Sequence, residues 1–245
     1  MNFFHLFRSI DGTNAEAERR LAAGLTDECA IVAEHQREGR GKGARIWISA
    51  EGCAAVTFVA REKNNAVASG LTSVIAALAL CDTVRAYMPE SRAKAIRVKW
   101  PNDVYANDAK LAGILSKKTL MGSGMFYVVG WGTNVATAPK NIGATSLQTF
   151  QGDACVLPGP LALAAALRER WDYFFSAVSS EGSEKAIDAY ASREYSPVGR
   201  ATYAEQPVIS ATLRPDGALA LRTPDENNIV VTDSDALNWN KVACC

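Results

Sequence analysis

The chain has 245 residues, with 26 Lys plus Arg against 26 Asp plus Glu and a formal net charge of +0 at pH 7. That balance excludes a global field that draws in nucleic acid or an anionic membrane, so any cationic site must be local. Hydrophobic residues at 48% and charged residues at 21% exclude a disordered chain and suit one main domain with a small appendage.

Phe3 to Ile10 reads as a first strand, and Ala15 to about Ala23 as a helix. Thr13 or Asn14 is expected to cap that helix, since either side chain accepts from N–H groups of the first turn. No signal peptide is evident in Met1 to Ile10. Cys29 to Glu34 reads as a buried strand. It delivers the chain into Gln36-Arg37-Glu38-Gly39-Arg40-Gly41-Lys42-Gly43-Ala44-Arg45-Ile46-Trp47. Glycine at every second position from Gly39 to Gly43 denies this loop a stable helix or strand, so its order must come from what it binds. Cations interleaved with backbone N–H groups suit a phosphate, or a carboxylate meeting a phosphate.

Cys53 to Ala60 is predicted as a core strand. Val67 to Tyr87 is predicted as a long helix with Leu71, Val74, Ile75 and Leu78 at core spacing. Polar residues and glycines interrupt Asn64 to Cys81 and Leu120 to Pro139, so a soluble helix and a glycine-rich strand pair are expected rather than membrane spans. Ile96 to Leu115 is read as one β-hairpin with chemistry at its bend, where Lys99, Lys110, Asp103, Asp108, Asn102 and Asn107 meet. Met125 to Gly130 is a strand running into Gly130-Trp131-Gly132-Thr133-Asn134. Leu161 to Val178 and Ser183 to Ala191 are helices whose aromatics, Trp171, Tyr173, Phe174 and Phe175, are expected in the core.

From Pro197 onward short strands replace helices: 200–203, 208–213, 218–222 and 229–231, with Arg214-Pro215-Asp216-Gly217 as a turn. The six cysteines (Cys29, Cys53, Cys81, Cys155, Cys244 and Cys245) show neither metal-ligand spacing nor a secretory framework. They read as thiols of a reducing, cytoplasmic compartment. Trp239 to Val242 are expected to be folded, which argues against a lipidated Cys244-Cys245 tail.

The order Lys99-Trp100-Pro101-Asn102-Asp103, then Lys110-Leu111-x-Gly113-Ile114-Leu115, resembles the signature of biotin protein ligases. Asp11-x-Thr13-Asn14, the Gly39 to Trp47 loop, Gly130-x-Gly132-x-Asn134 and Ala144-Thr145-Ser146-Leu147 resemble further family segments in the same order. The resemblance implies an α+β fold: a mixed sheet with flanking helices, of the type shared with class II aminoacyl-tRNA synthetases and lipoate ligases, then a small SH3-like β-barrel. The implied domains are 1–194 and 195–245.

The resemblance also implies ATP-dependent formation of biotinyl-5′-AMP and transfer of biotin to a lysine of a biotin carboxyl carrier domain. Carried over residue by residue, Thr13, Asn14, Gln36, Gly39, Arg40, Lys110 and Gly113 belong to the biotin pocket. Arg40, Lys42, Arg45, Trp47, Asn102, Asp103, Lys110 and Asn134 belong to the ATP and adenylate site. Arg40, Lys110 and Asp103 are the implied catalytic groups, and Asp103 either orients Mg²⁺ or holds the incoming amine. Gly12 replaces a family serine, Lys42 an arginine and Ala44 a glycine. A point charge for a fork, and an alanine where positive φ is a concern, predict a weaker closed loop.

Three alternatives stand beside this reading. A lipoate or octanoate ligase shares the fold, but its arginine- and glycine-rich signature ending in His-Asp is missing, and His5 and His35 are the only histidines. A ligand-dependent DNA-binding regulator needs an N-terminal winged helix for which the start at Asp11 leaves no room, so no nucleic-acid partner is expected. A biotin-binding protein without ligase activity rests on Gly12, Lys42 and Ala44. A monomer or homodimer with no membrane association is expected.

Overall fold

The computed structural model describes residues 3–25, 27–62, 67–122, 124–140, 142–152 and 156–239. Cys155, the Cys244-Cys245 pair and most of the 239–242 segment lie outside them.

The main sheet has seven strands in the order β1-β2-β3-β7-β6-β5-β4. They are β1 (Phe4–Ile10), β2 (Cys29–Gln36), β3 (Ala54–Arg61), β4 (Ile96–Lys99), β5 (Asp103–Ala106), β6 (Ala109–Met121) and β7 (Gly124–Thr133). Only β1 and β2 run parallel, joined by the crossover helix α1 (Thr13–Ala22), and every other neighbouring pair is antiparallel. The expected single hairpin at 96–115 is instead three strands with two turns. Pro101 and Asn102 form one turn, and Asn107, at φ 50, forms the other. Asn tolerates that left-handed geometry better than most residues.

The two faces of the sheet are covered differently. Helix α2 (Ser69–Ala86) and helix α5 (Pro160–Glu181) pack on one face. Twelve residues of α2 are buried, so a helix long and apolar enough to cross a membrane is here a core element. Helix α5 starts at Pro160, whose missing N–H costs nothing at the first helical position, and ends on Gly182 at φ 91. Trp171 and Phe174 enter the core from it as expected, whereas Tyr173 is exposed. Two short helices, α3 (Glu90–Ala93) and α4 (Leu147–Gln151), flank this layer, and α6 (Glu184–Ala191) closes it.

On the opposite face α1 covers only part of the sheet, burying Ala17 and Leu21 against Ile31, Val59, Phe126 and Val128. The remainder of that face is open, and the site forms there. The N-terminus of α1 departs from expectation. Gly12 is its N-cap, the helix starts at Thr13, and no side chain caps it, because Thr13 and Asn14 are hydrogen-bonded elsewhere.

The C-terminal segment forms two three-stranded antiparallel sheets, which make up the small β-module expected there. One joins β8 (Ala201–Tyr203), β9 (Gln206–Pro207) and β13 (Leu237–Trp239). The other joins β10 (Ser210–Leu213), β11 (Leu219–Arg222) and β12 (Ile229–Val231). A 3₁₀ turn, Ser234–Ala236, precedes β13. The turn between β10 and β11 docks onto the main body. Trp100 donates its indole N–H to the Gly217 carbonyl at 2.8 Å, and a β-carbon on Gly217 would lie 2.2 Å from α2 backbone. Leu213, Leu219, Leu221 and Ile229 belong to the same buried cluster as α2 and α5.

Candidate active site

Cross-strand register assembles the floor of the site. Gly113 on β6 pairs with Gly132 on β7, Gly132 pairs with Ala55 on β3, and Asp103 on β5 pairs with Gly113. One row over, Leu115, Gly130 and Thr57 align. Cross-strand neighbours share a face, so these small residues leave a trough between Asp103 and α1. The Trp47 indole lies in it. A β-carbon on Gly132 would be 2.3 Å from that ring and one on Gly113 3.3 Å. Glycine is required at 132 because an aromatic face approaches the backbone there.

Lys110 reaches this face through a bulge. Gly113 is three positions further along, and in a regular strand an odd offset puts side chains on opposite faces. The pairing shifts between Val104 and Tyr105, so that Ala112 faces Val104 while Lys110 faces Tyr105, and Leu111 is the extra residue. The bulge turns Lys110 back onto the site face, where its Nζ lies 2.7 Å from Asp103 Oδ1. Backbone bonds to Gly143 and Thr145 fix it on the other side.

The cavity over this floor measures about 480 Å³. Its neutral wall is Thr13, Asn14 and Gln36. The Gln36 Oε1 accepts from Thr13 N at 2.8 Å and lies 3.1 Å from Thr13 Oγ1, which is why Thr13 does not cap α1. Its charged wall is Arg40, Lys42, Arg45, Lys99 and Lys110, with the carboxylates Glu38, Asp103 and Asp235 among them. Asn102 lines it too, and is pinned by its own Nδ2 donating to the Ile114 carbonyl at 2.7 Å.

The glycine-rich loop is ordered by a small ladder. Arg40 bridges to Ile46, Gly41 N–H donates to the Arg45 carbonyl at 2.8 Å, and Trp47 N–H donates to the Gly39 carbonyl at 2.9 Å. The left-handed residue is Gly43, at φ 64, and Ala44 is not in that region. The strain expected at Ala44 is therefore absent. Arg40 is exposed and has no ion pair among the described residues. Lys42 reaches across to Asp233, which caps the 3₁₀ turn, and Arg45 to Asp235 within it. Asp235 raises the pKa of Arg45. Asp233 is held below the usual carboxylate range, first by the Asp235 N–H and then by Lys42.

Asn107 and Asp108, expected to meet the other groups at the bend, sit instead at the second turn away from the cavity, where Asp108 Oδ1 accepts from the Tyr195 hydroxyl at 2.8 Å. Two residues of the implied pockets do not line the cavity either. Gly39 is buried behind Trp47, where a β-carbon would lie 2.4 Å from the Trp47 carbonyl oxygen, so its place is to let the loop close on itself. Asn134 is buried at 1% exposure, with Nδ2 donating to the Thr145 carbonyl at 3.1 Å and Oδ1 without a partner among the described residues. Trp131 donates its indole N–H to the Ala76 carbonyl on α2 and packs edge-on against Trp171.

Several wall residues lie outside the expected set. Lys99 has its Nζ 4.4 Å from the Trp239 ring centre and 4.9 Å from that of Tyr105, and burial lowers its pKa. Ser234, Asp235, Leu237, Asn238 and Trp239 complete the wall from the C-terminal module. Lys99 sits within a motif visible in the sequence; no local signal marks the others.

The sequence matches the family model described as the biotin/lipoate A/B protein ligase family over residues 6–134. It is 36% identical over 230 residues to a biotin–acetyl-CoA-carboxylase ligase of Paracoccus denitrificans, covering 90% of this chain and 94% of that protein. It is 38% identical over 130 residues to the bifunctional ligase/repressor BirA of Escherichia coli (strain K12), covering 52% of this chain and 39% of that protein. Among solved structures, the fold resembles a biotin protein ligase from Aquifex aeolicus in complex with biotin and ATP, with TM-score 0.75 and 19% identity over 98% of this chain and 100% of that one. One from Leishmania major in complex with biotin gives 0.67 and 23% over 94% and 97%. The match along nearly the whole of the Paracoccus protein, together with the family model, shows that this chain belongs to the biotin/lipoate A/B protein ligase family.

Proposed function

We propose that the chain is an ATP-dependent biotin protein ligase. A biotin carboxylate oxygen attacks the α-phosphorus of ATP, pyrophosphate leaves, and biotinyl-5′-AMP forms. The ε-amine of a carrier-domain lysine then attacks the acyl carbon, AMP leaves, and an amide remains. Both steps gather negative charge without a protein nucleophile, so the protein's part is positioning and electrostatic stabilisation.

The observation that carries this reading is the joining of a neutral, hydrogen-bonding wall to a charged one in a single cavity. Thr57, which holds Thr13 and Asn14, lies on β3, and Lys110 lies on β6 two strands away. The Lys110 ammonium lies against Gly113, two residues along from the row of Thr57, so two strand spacings and that offset make about 12 Å, the span of a bicyclic ureido ring with a five-carbon carboxylate arm. Thr13, Asn14 and Gln36 take the ring, and its arm runs over the Trp47 indole, which Gly113 and Gly132 let lie flat against the floor. Arg40 and Lys110 meet the carboxylate and α-phosphate. Lys42 and Arg45 meet the outer phosphates, and Lys99 is a further cation for the departing pyrophosphate. Trp47 serves the adenine and Gly39 shapes the loop behind it, while Asn134, buried outside the cavity lining, holds the Thr145 carbonyl.

Asp103 is better suited to orienting Lys110 and the incoming amine than to binding Mg²⁺. It is already paired with Lys110, and Lys99 and Arg45 are within its field, so a divalent ion would stand among three cations. No group of three or more His, Cys, Asp or Glu able to hold a metal occurs among the described residues. Mg²⁺ then enters as the ATP complex, held chiefly by phosphate oxygens and water.

The test is pyrophosphate exchange and carrier labelling with purified protein, ATP and either biotin or lipoate, using a biotin carboxyl carrier domain. Biotin is expected to support both signals and lipoate neither. Labelling with lipoate but not biotin overturns the assignment.

A further inference from the structure

Strand β3 reads Ala54-Ala55-Val56-Thr57-Phe58-Val59-Ala60, and Thr57 is the one polar side chain in that run, at 0% exposure. A hydroxyl buried among Ala, Val and Phe is costly unless its hydrogen bonds are made. Thr57 makes them under the neutral wall. Its Oγ1 is 2.6 Å from Asn14 Oδ1 and 2.8 Å from Thr13 Oγ1. Gly130, its cross-strand partner, leaves the space that Asn14 fills, since a β-carbon there would lie 2.1 Å from Asn14 Oδ1.

The direction of each proton follows from the donor and acceptor inventory. Asn14 Nδ2 faces the Leu115 carbonyl at 3.2 Å and must donate to it, so Oδ1 is the atom turned toward Thr57. An amide oxygen carries no proton, so Thr57 donates its only one to Asn14. Thr13 then gives its own proton either to Thr57 or to Gln36 Oε1 at 3.1 Å. In both cases every hydroxyl proton is spent inside the wall. Thr13 shows the cavity lone pairs alone. Because Gln36 Oε1 already accepts from Thr13 N, Gln36 has its amide N–H groups left to offer.

We propose that Thr57 is a positioning residue for substrate recognition: by fixing these protons it makes Thr13 an acceptor that selects a ligand presenting a ring N–H at that end of the cavity. Thr57 does not line the cavity and touches no substrate itself. The inference rests on the reading of the site as a biotin pocket, where the N–H belongs to the ureido ring.

The experiment compares wild type, Thr57→Val and Thr57→Ser by calorimetric biotin binding, by pyrophosphate exchange at varied biotin, and with a biotin analogue methylated on one ureido nitrogen. Val keeps the shape and loses the hydroxyl; Ser keeps the hydroxyl and loses the methyl. The valine variant is expected to raise the biotin Kd and KM at least tenfold with kcat at saturating biotin within threefold, and to discriminate less against the methylated analogue. The serine variant is expected to retain wild-type discrimination. Should the valine variant fail to fold, Thr57→Ala, which also removes the hydroxyl, carries the same expectation. Wild type that binds no biotin overturns the functional reading and this inference with it. Wild type that binds biotin, beside a folded Thr57→Val or Thr57→Ala with unchanged KM and discrimination, overturns this inference alone.

Discussion

Two of the cations assigned to the triphosphate are already neutralised. Lys42 pairs with Asp233 and Arg45 with Asp235, across 191 and 190 residues of sequence respectively. ATP must displace these carboxylates, so Asp233→Asn with Asp235→Asn is expected to strengthen ATP binding. The size of the effect follows from exposure. The side chains are 34% and 55% exposed in the first pair and 60% and 59% in the second. Pairs this open contribute about 0–1 kcal/mol each, so together they oppose ATP by at most roughly 2 kcal/mol. A value near 1.4 kcal/mol lowers the KM for ATP about tenfold. The two carboxylates also hold the loop in place, an opposing contribution. A highly charged triphosphate gains more from two released cations than it loses from those two contacts, because the loop keeps its own backbone ladder.

The assay is pyrophosphate exchange at varied ATP and saturating biotin, run from low to high salt. The KM for ATP of the double variant should fall at low salt and converge on wild type as salt rises, because exposed charges are screened within about 10 Å at 0.1 M. The biotin KM should not move. Asp233 titrates below its ordinary range, so its contribution is complete at neutral pH and is lost only as pH falls through the depressed value. The difference between variant and wild type should therefore be flat from about pH 6 to 8. An ATP KM that rises in the double variant shows the acids to be a scaffold that holds the cations for phosphate, and refutes the reasoning.

Lys110→Ala and Arg40→Ala should each slow single-turnover adenylation at least tenfold, about 1.4 kcal/mol, a floor set below the cost of losing a fully preorganised donor because Arg40 is exposed. Melting temperatures should change little, and rates within threefold of wild type remove the residue from the mechanism. Gly12→Ser should be tolerated and should tighten biotin, because a β-carbon at Gly12 meets nothing nearer than 3.7 Å; weaker binding in calorimetry would show that the added hydroxyl obstructs the ring. Ala44→Gly should leave adenylate release unchanged, whereas Gly43→Ala should speed it, since a left-handed alanine costs about 1–2 kcal/mol. A pulse of labelled adenylate chased without acceptor separates the two. Cys29, Cys53 and Cys81 are buried, and burial raises all three thiols, Cys81 to about 12. Peptide mapping should find them unalkylated until the protein is unfolded.

Where local pattern decides structure, the sequence was informative. The spacing of Leu71, Val74, Ile75 and Leu78 is that of a buried helix, and α2 is one. The turn at Arg214 to Gly217 closes β10 onto β11, with Gly217 N–H donating to the Arg214 carbonyl at 2.9 Å. The Thr13 cap failed for a non-local reason. Its hydroxyl is claimed by Gln36 and Thr57, residues 23 and 44 positions away, and no reading of the first helical turn contains them. Asp233, Asp235 and Trp239 were equally out of reach, since they join the site only after the C-terminal module docks through Trp100 and Gly217.

The motif Lys110-Leu111-Ala112-Gly113 shows how a signature can be legible while its geometry is not. Taken as a regular strand, it puts Lys110 on the face that α2 covers and Gly113 on the open face. A lysine there would be buried against α2, where Ala77, Leu78 and Leu80 lie, at a cost too large to go uncompensated. The bulge at Leu111 resolves the conflict by sending one extra apolar residue inward, 0% exposed, and turning the lysine out to Asp103. The irregularity is therefore what makes the motif a site: deleting one residue between Lys110 and Gly113 should restore a regular ladder with period-2 parity that points Lys110 and Gly113 to the same face, but only by removing the side chain that fills the core behind them. Such a deletion trades a packed leucine or alanine for a straight strand, and the stability lost, about 2–5 kcal/mol for an emptied leucine position, measures how firmly the core holds the bulge and, through it, the lysine.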